Sequence, residues 1–152
     1  MNKAVSLATV EQEIEEAKEC SEDYGWGFTL NLENQSFTVL LQSPVDQQKY
    51  LLEFCFDDYP EKPYLINFIH PETGVVNAAG CLPKGHDSFF NPTGFTICHP
   101  CSRRAYAGYT GLHGDWDMTG WQTIAGGMIN LKFILIGIQE RISNKSFYHG
   151  RL

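Results

Sequence analysis

Cys98-His99-Pro100-Cys101 runs directly into Ser102-Arg103-Arg104, outside any apolar run. Nearby guanidinium charge favours thiolate over thiol, so a cysteine in this setting suits nucleophilic attack and a covalent thioester. The same four residues also have the spacing of a metal clip. With Cys81 and His113 they would offer zinc four ligands of acceptable type. Choosing between these two chemistries is the main functional question the sequence poses.

The elements that must hold this segment follow from periodicity. Leu7, Val10, Ile14 and Ala17 fall at helical spacing, with Thr9 and Gln12 placed as a capping box and Ser21 to Gly25 as the stop. The period then becomes two. Trp26, Phe28, Leu30 and Leu32 alternate, Asn34-Gln35 turns, and Phe37, Val39 and Leu41 alternate again. Tyr50 to Phe56 and Tyr64 to Ile69 read as a third and a fourth strand. Their connections are too short for helical crossovers, so the strands should be antiparallel neighbours. From His70 to Gly120 no period survives, and a structureless stretch of that length is usually functional. A second helix is expected over Ile124, Met128, Leu131, Leu135, Ile138 and Ile142, weakened at its start by Gly126-Gly127. The expected class is α+β in a single domain, 1–152: N-terminal helix, four-stranded antiparallel meander, long active-site loop, C-terminal helix.

Composition narrows the function classes. A net charge of -7 argues against a general binder of nucleic acid or anionic membranes. Met1 to Thr9 lacks the apolar core of a signal peptide, and the most apolar run, Met128 to Ile138, is too short to span a bilayer. A cytoplasmic protein is expected. Five cysteines, an odd number, then read as reduced thiols, a metal site or a catalytic thiol. No phosphate-binding glycine loop is present, so ATP-driven activation of an acyl group would have to come from another protein.

The order of elements, with Tyr59-Pro60-Glu61-Lys62-Pro63 before the fourth strand and Trp121 before the last helix, resembles the ubiquitin-conjugating enzymes over roughly Thr9 to Ile142. In most members His-Pro-Asn precedes a Cys-Leu pair. Here His70-Pro71-Glu72 precedes Cys81-Leu82, with Glu72 where the asparagine belongs. His99-Pro100-Cys101, followed after Ser102 by Arg103, is similar to the His-Pro-Cys-basic motif of autophagy-type conjugating enzymes, which favours Cys101 over Cys81 as nucleophile. The compact chain also resembles the conjugating-enzyme relatives of short type II CBASS antiphage operons, which stand beside a cGAS-like nucleotidyltransferase. That resemblance implies that Cys101 captures the C-terminal glycine of such a partner and passes it to an amine, such as an acceptor lysine on a protein, with no cofactor and no metal. The transition state places charge on the carbonyl oxygen, for which His99, Asn91 or loop backbone N–H groups are candidate donors. Arg103 would favour the thiolate, and Asp115 or Asp117 would ease loss of the proton from the lysine.

Three rival readings stand beside this one. The first is the structural zinc site of Cys81, Cys98, Cys101 and His113. In the second, a zinc deaminase, His70-Pro71-Glu72 supplies His-x-Glu and Cys98 to Cys101 supplies Cys-x-x-Cys. Ile97 occupies the place of its required proline, however, and Thr73, Gly74 and Gly80 break its required helix. The third is a non-catalytic binding module whose loop docks a partner through Tyr106, Tyr109 and Trp116.

Overall fold

The computed structural model describes residues 2–106, 109–110, 113 and 116–152. The region of period two forms a sheet of four strands in sequence order: β1 (Gly27–Asn31), β2 (Ser36–Gln42), β3 (Lys49–Cys55) and β4 (Leu65–Ile69), each antiparallel to the next. Register is set by alternation, since a slip of one residue would turn every apolar side chain to the other face. Phe37 pairs with Phe54 and Phe54 with Ile66; Val39 pairs with Leu52 and Leu52 with Phe68. All of these are fully buried. The rings of Phe37 and Phe54 stack 5.1 Å apart, and Tyr64 meets both edge-on.

Helices α1 (Lys3–Tyr24) and α2 (Leu131–Ser143) complete this core with Val10, Ile14 and Ala17 from one and Leu131, Ile134, Leu135, Ile138 and Ile142 from the other. Both helices begin elsewhere than the sequence signals indicate. Asn2, not Thr9, caps α1: its Oδ1 accepts from the N–H groups of Ala4 and Val5, and the helix runs through Thr9. Gly25 ends it at φ 73°, a conformation that favours glycine. Helix α2 starts at Leu131 behind an Asn130 cap. The expected first turns around Ile124 are instead a 3-10 turn, Trp121–Thr123, followed by Gly126 at φ 61°, and Ile124 is 59% exposed.

Glu13 joins the two helices to the strand approach. Its carboxylate accepts from Tyr59 Oη at 2.7 Å, Tyr64 Oη at 3.2 Å and the backbone N–H of Leu131 at 2.8 Å. Burial raises its pKa more than these bonds lower it. Trp121, fully buried, donates from Nε1 to the Pro60 carbonyl at 2.9 Å, tying the Tyr-Pro-x-x-Pro segment to the start of the last helix.

The aperiodic stretch carries three short strands. β6 (Phe90–Asn91) pairs with β7 (Thr96–Ile97), and β5 (Pro83–Gly85) pairs with a strand not expected from the sequence, β8 (Tyr148–Arg151). Among the described residues no helix is long and apolar enough to cross a membrane.

Candidate functional site

Strand β7 delivers the chain to the Cys98–Cys101 turn. Ser102 bridges to Tyr64, and the Arg103 N–H donates to the Tyr64 carbonyl at 2.9 Å. The segment after the cysteines is therefore fixed to the entry of β4, where the Tyr59–Pro63 segment leads. The turn is closed by Ser102 N–H on the His99 carbonyl at 3.0 Å and by Cys101 N–H on His99 Nδ1 at 3.0 Å.

The arginines do not do what their proximity in sequence suggests. Arg103 is 4% exposed and directs its guanidinium to Asp57, with Asp58 at 4.0 Å. Burial opposes ionisation of Asp57, but the Arg103 hydrogen bond and charge hold its carboxyl below the usual range. Arg104 donates to the carbonyls of Gly94 and Phe95 at 2.7 and 2.9 Å. Both guanidinium groups hold the loop together, and neither is a cause of any shift in Cys101. That thiol is 0% exposed, and burial pushes it up to about 12 against a smaller opposing pull from Arg141 and a backbone hydrogen bond. The expected exposed, acidified thiol is instead, in this conformation, a covered and protonated one.

Of the groups around Cys101, His99 was expected and Arg141 was not. Burial, then the Arg141 charge, lower the His99 pKa, so its imidazole is neutral near pH 7. Because its Nδ1 accepts a hydrogen bond, the proton resides on Nε2. His99 and Arg141 both line an open groove of about 520 Å³ whose wall includes Gly126, Gly127 and Phe133. Arg141 is braced by the Gly137 carbonyl at 2.9 Å and by the Phe89 ring, 3.8 Å from its guanidinium carbon. Nothing in the spacing of Arg141 separates it from an ordinary cation in the last turn of a helix, so sequence alone did not single it out.

Among the described residues, the other expected site residues do not line this groove. Asn91 accepts the Thr93 N–H at 2.9 Å, and Asp117 the Thr119 N–H at 3.0 Å; each side chain closes its own turn. Asp115 lies outside the described residues. Cys81 is buried and donates to the Val75 carbonyl at 3.2 Å. His70 folds onto its own loop, its Nδ1 facing the N–H groups of Glu72 and Thr73, and a turn with Gly74 at φ 77° follows in place of the helix a deaminase needs. Cys98, only half-buried, has its Sγ 3.2 Å from His113 Nε2. Among the described residues no three His, Cys, Asp or Glu side chains converge as a metal site would require.

Compared with protein-family models, curated proteins and solved structures, the chain matches none.

Proposed function

We propose that the chain is an acyl carrier of the ubiquitin-conjugating type, working in the cytoplasm, in which Cys101 takes up the C-terminal glycyl group of a protein partner as a thioester and yields it to an amine. The observation that carries this reading is the placement of His99 and Arg141: His99 accepts the Cys101 N–H, the Arg141 charge acts on the Cys101 thiol, and both side chains line a groove walled partly by Gly126 and Gly127. A glycine-ended tail is slender enough for such a groove, and an Nε2–H and a guanidinium are the donors a developing oxyanion needs. The order of helix, antiparallel meander, loop and helix agrees with the same reading. Since Cys101 is covered, capture requires the segment around it to open as the partner docks, which also lets the thiol ionise. The partner class that fits best is a cGAS-like nucleotidyltransferase with a C-terminal glycine, in antiphage defence, with a protein lysine as acceptor.

Co-expression with such a partner tests the reading, read out by non-reducing gels and intact mass. A higher-mass, thiol-labile adduct is expected. Cys101→Ala should abolish it, Cys101→Ser should leave a more stable ester, and Cys81→Ala should leave it unchanged. Loss of the adduct in Cys81→Ala or Cys98→Ala alone would move the thioester to that residue. The burial of Cys101 favours a second reading, a non-catalytic docking module, which stands if no adduct depends on any cysteine.

A further inference from the structure

The 98–101 turn carries two thiols, one of them against an imidazole, and the carrier reading uses only Cys101. Cys98 faces outward, half-buried, with its Sγ against His113 Nε2 at 3.2 Å. The His113 ring stacks on Tyr106 at 4.9 Å, and Tyr106 meets Trp116 edge-on at 4.8 Å, so the imidazole is held in place by an aromatic pair. Cys101 follows three residues later, with no exposure at all. Both sulfurs bear on one phenol: burial, then Cys98 and Cys101, raise the Tyr106 hydroxyl above its usual range. A half-buried thiol next to an imidazole, a covered thiol across one turn and Cys-x-x-Cys spacing are the parts of a two-thiol oxidation site.

We propose that Cys98 is the thiol that hydroperoxides oxidise first and that Cys101 then closes it to an intramolecular disulfide. In the first step the Cys98 thiol gives its proton to His113 Nε2, and the sulfur attacks the terminal peroxide oxygen. The O–O bond breaks, and the departing oxygen takes up the proton and leaves as water or alcohol. Cys98 is oxidised by two electrons to the sulfenic acid, and the peroxide is reduced by two. In the second step the Cys101 sulfur attacks the sulfenic sulfur, the S–O bond breaks, and hydroxide leaves with the Cys101 proton as water. Burial also raises the Cys98 thiol, which is why the base is needed. Burial of Cys101 hides it from oxidant in solution but not from a neighbour on its own chain. A disulfide of this kind in a reducing compartment is transient and sensory rather than structural. Its consequence, that the oxidised protein cannot accept an acyl group, rests on the carrier reading above.

Peroxide treatment of the whole chain, followed by intact mass and non-reducing peptide mapping, is the test. The wild type should lose two hydrogen masses through a Cys98–Cys101 link that added thiol reverses. Cys101→Ser should stop one oxygen heavier, trapped by dimedone on Cys98, and Cys98→Ser should form no link. His113→Gln should slow the reaction about tenfold or more, as loss of a general base does. The proposal is overturned if Cys20 or Cys55 reacts first, if the wild type stops at the sulfenic acid, if Cys98→Ser still loses the two hydrogens, or if His113→Gln reacts at the wild-type rate. None of these readouts needs the acyl partner. If the disulfide forms but the reduced protein takes up no acyl group at any cysteine, the carrier reading fails and the oxidation site stands; if acylation at Cys101 proceeds unchanged in peroxide-treated protein, the Cys98–Cys101 disulfide is overturned and the carrier reading stands.

Discussion

At the scale of single residues, burial of one thiol has a measurable cost in alkali. Cys101 has an ordinary value of 9.0 and a folded value of about 12, so the folded protein holds this proton more tightly than the unfolded chain does. The stability contributed is complete below pH 9.0 and is lost as pH rises towards 12, at about 1.4 kcal/mol per unit for one such group. Cys55, also pushed up to about 12, adds to the same trend. Urea unfolding at about pH 8 and about pH 10.5 should therefore show a falling midpoint in the wild type and a distinctly smaller fall in Cys101→Ser. Equal falls in both proteins would mean that Cys101 ionises freely in the folded state. The chemistry around this residue was only partly legible in the sequence. His99-Pro100-Cys101 stood out by residue type, and its His99 lines the groove. The charge expected beside it did not materialise, because Arg103 and Arg104 have better partners in Asp57 and two carbonyls, and neighbours in sequence need not be neighbours in field.

At the scale of elements, the sheet was readable and the helix ends were not. Alternation over Phe37–Leu41 and Tyr50–Phe54 has one solution for a sheet with a buried face, and the strands form within a residue or so of where that pattern lies. Helix starts are decided by whichever polar side chain reaches the free N–H groups first. Thr9 and Gln12 have the right spacing for a capping box, but the chain from Lys3 is already helical and Asn2 has taken that role. Asn2→Ala should cost about 1 kcal/mol in thermal or urea unfolding, whereas Thr9→Ala, inside the helix, should leave stability unchanged or raise it by a few tenths. A larger loss from Thr9→Ala would show that the helix begins there in solution. The start of α2 was misplaced for a related reason: Ile124 continues the apolar stripe on paper, yet glycines and a left-handed turn intervene before Asn130 restarts the chain as helix.

At the scale of the whole molecule, the loop that carries the site is rooted in a segment far along the chain. β8 pairs with β5, Gly80 N–H donates to the Leu152 carbonyl at 2.9 Å, and Leu152 N–H to the Leu82 carbonyl at 3.0 Å. No periodicity announces a two-strand pairing this short, so it was invisible in the sequence. Gly85 shows how close the approach is: a Cβ there would lie 2.5 Å from the Phe147 ring. Gly85→Ala should lower stability by about 1–3 kcal/mol, the usual range for overpacking. The change should appear as a lower urea midpoint with an unchanged slope. An unaltered midpoint would mean that β5 and β8 are not packed in solution.

The β5–β8 pairing also orders events during synthesis. Strands β1 to β4 are contiguous in the chain, so the sheet can begin to close while later residues are still being added. The root of the loop cannot, because its partner strand lies more than sixty residues downstream, at Tyr148–Arg151. A nascent chain paused on the ribosome after α2 would hold a largely formed sheet with the Cys98–Cys101 segment already within reach of β4, while the 80–85 end of the loop still waits for β8.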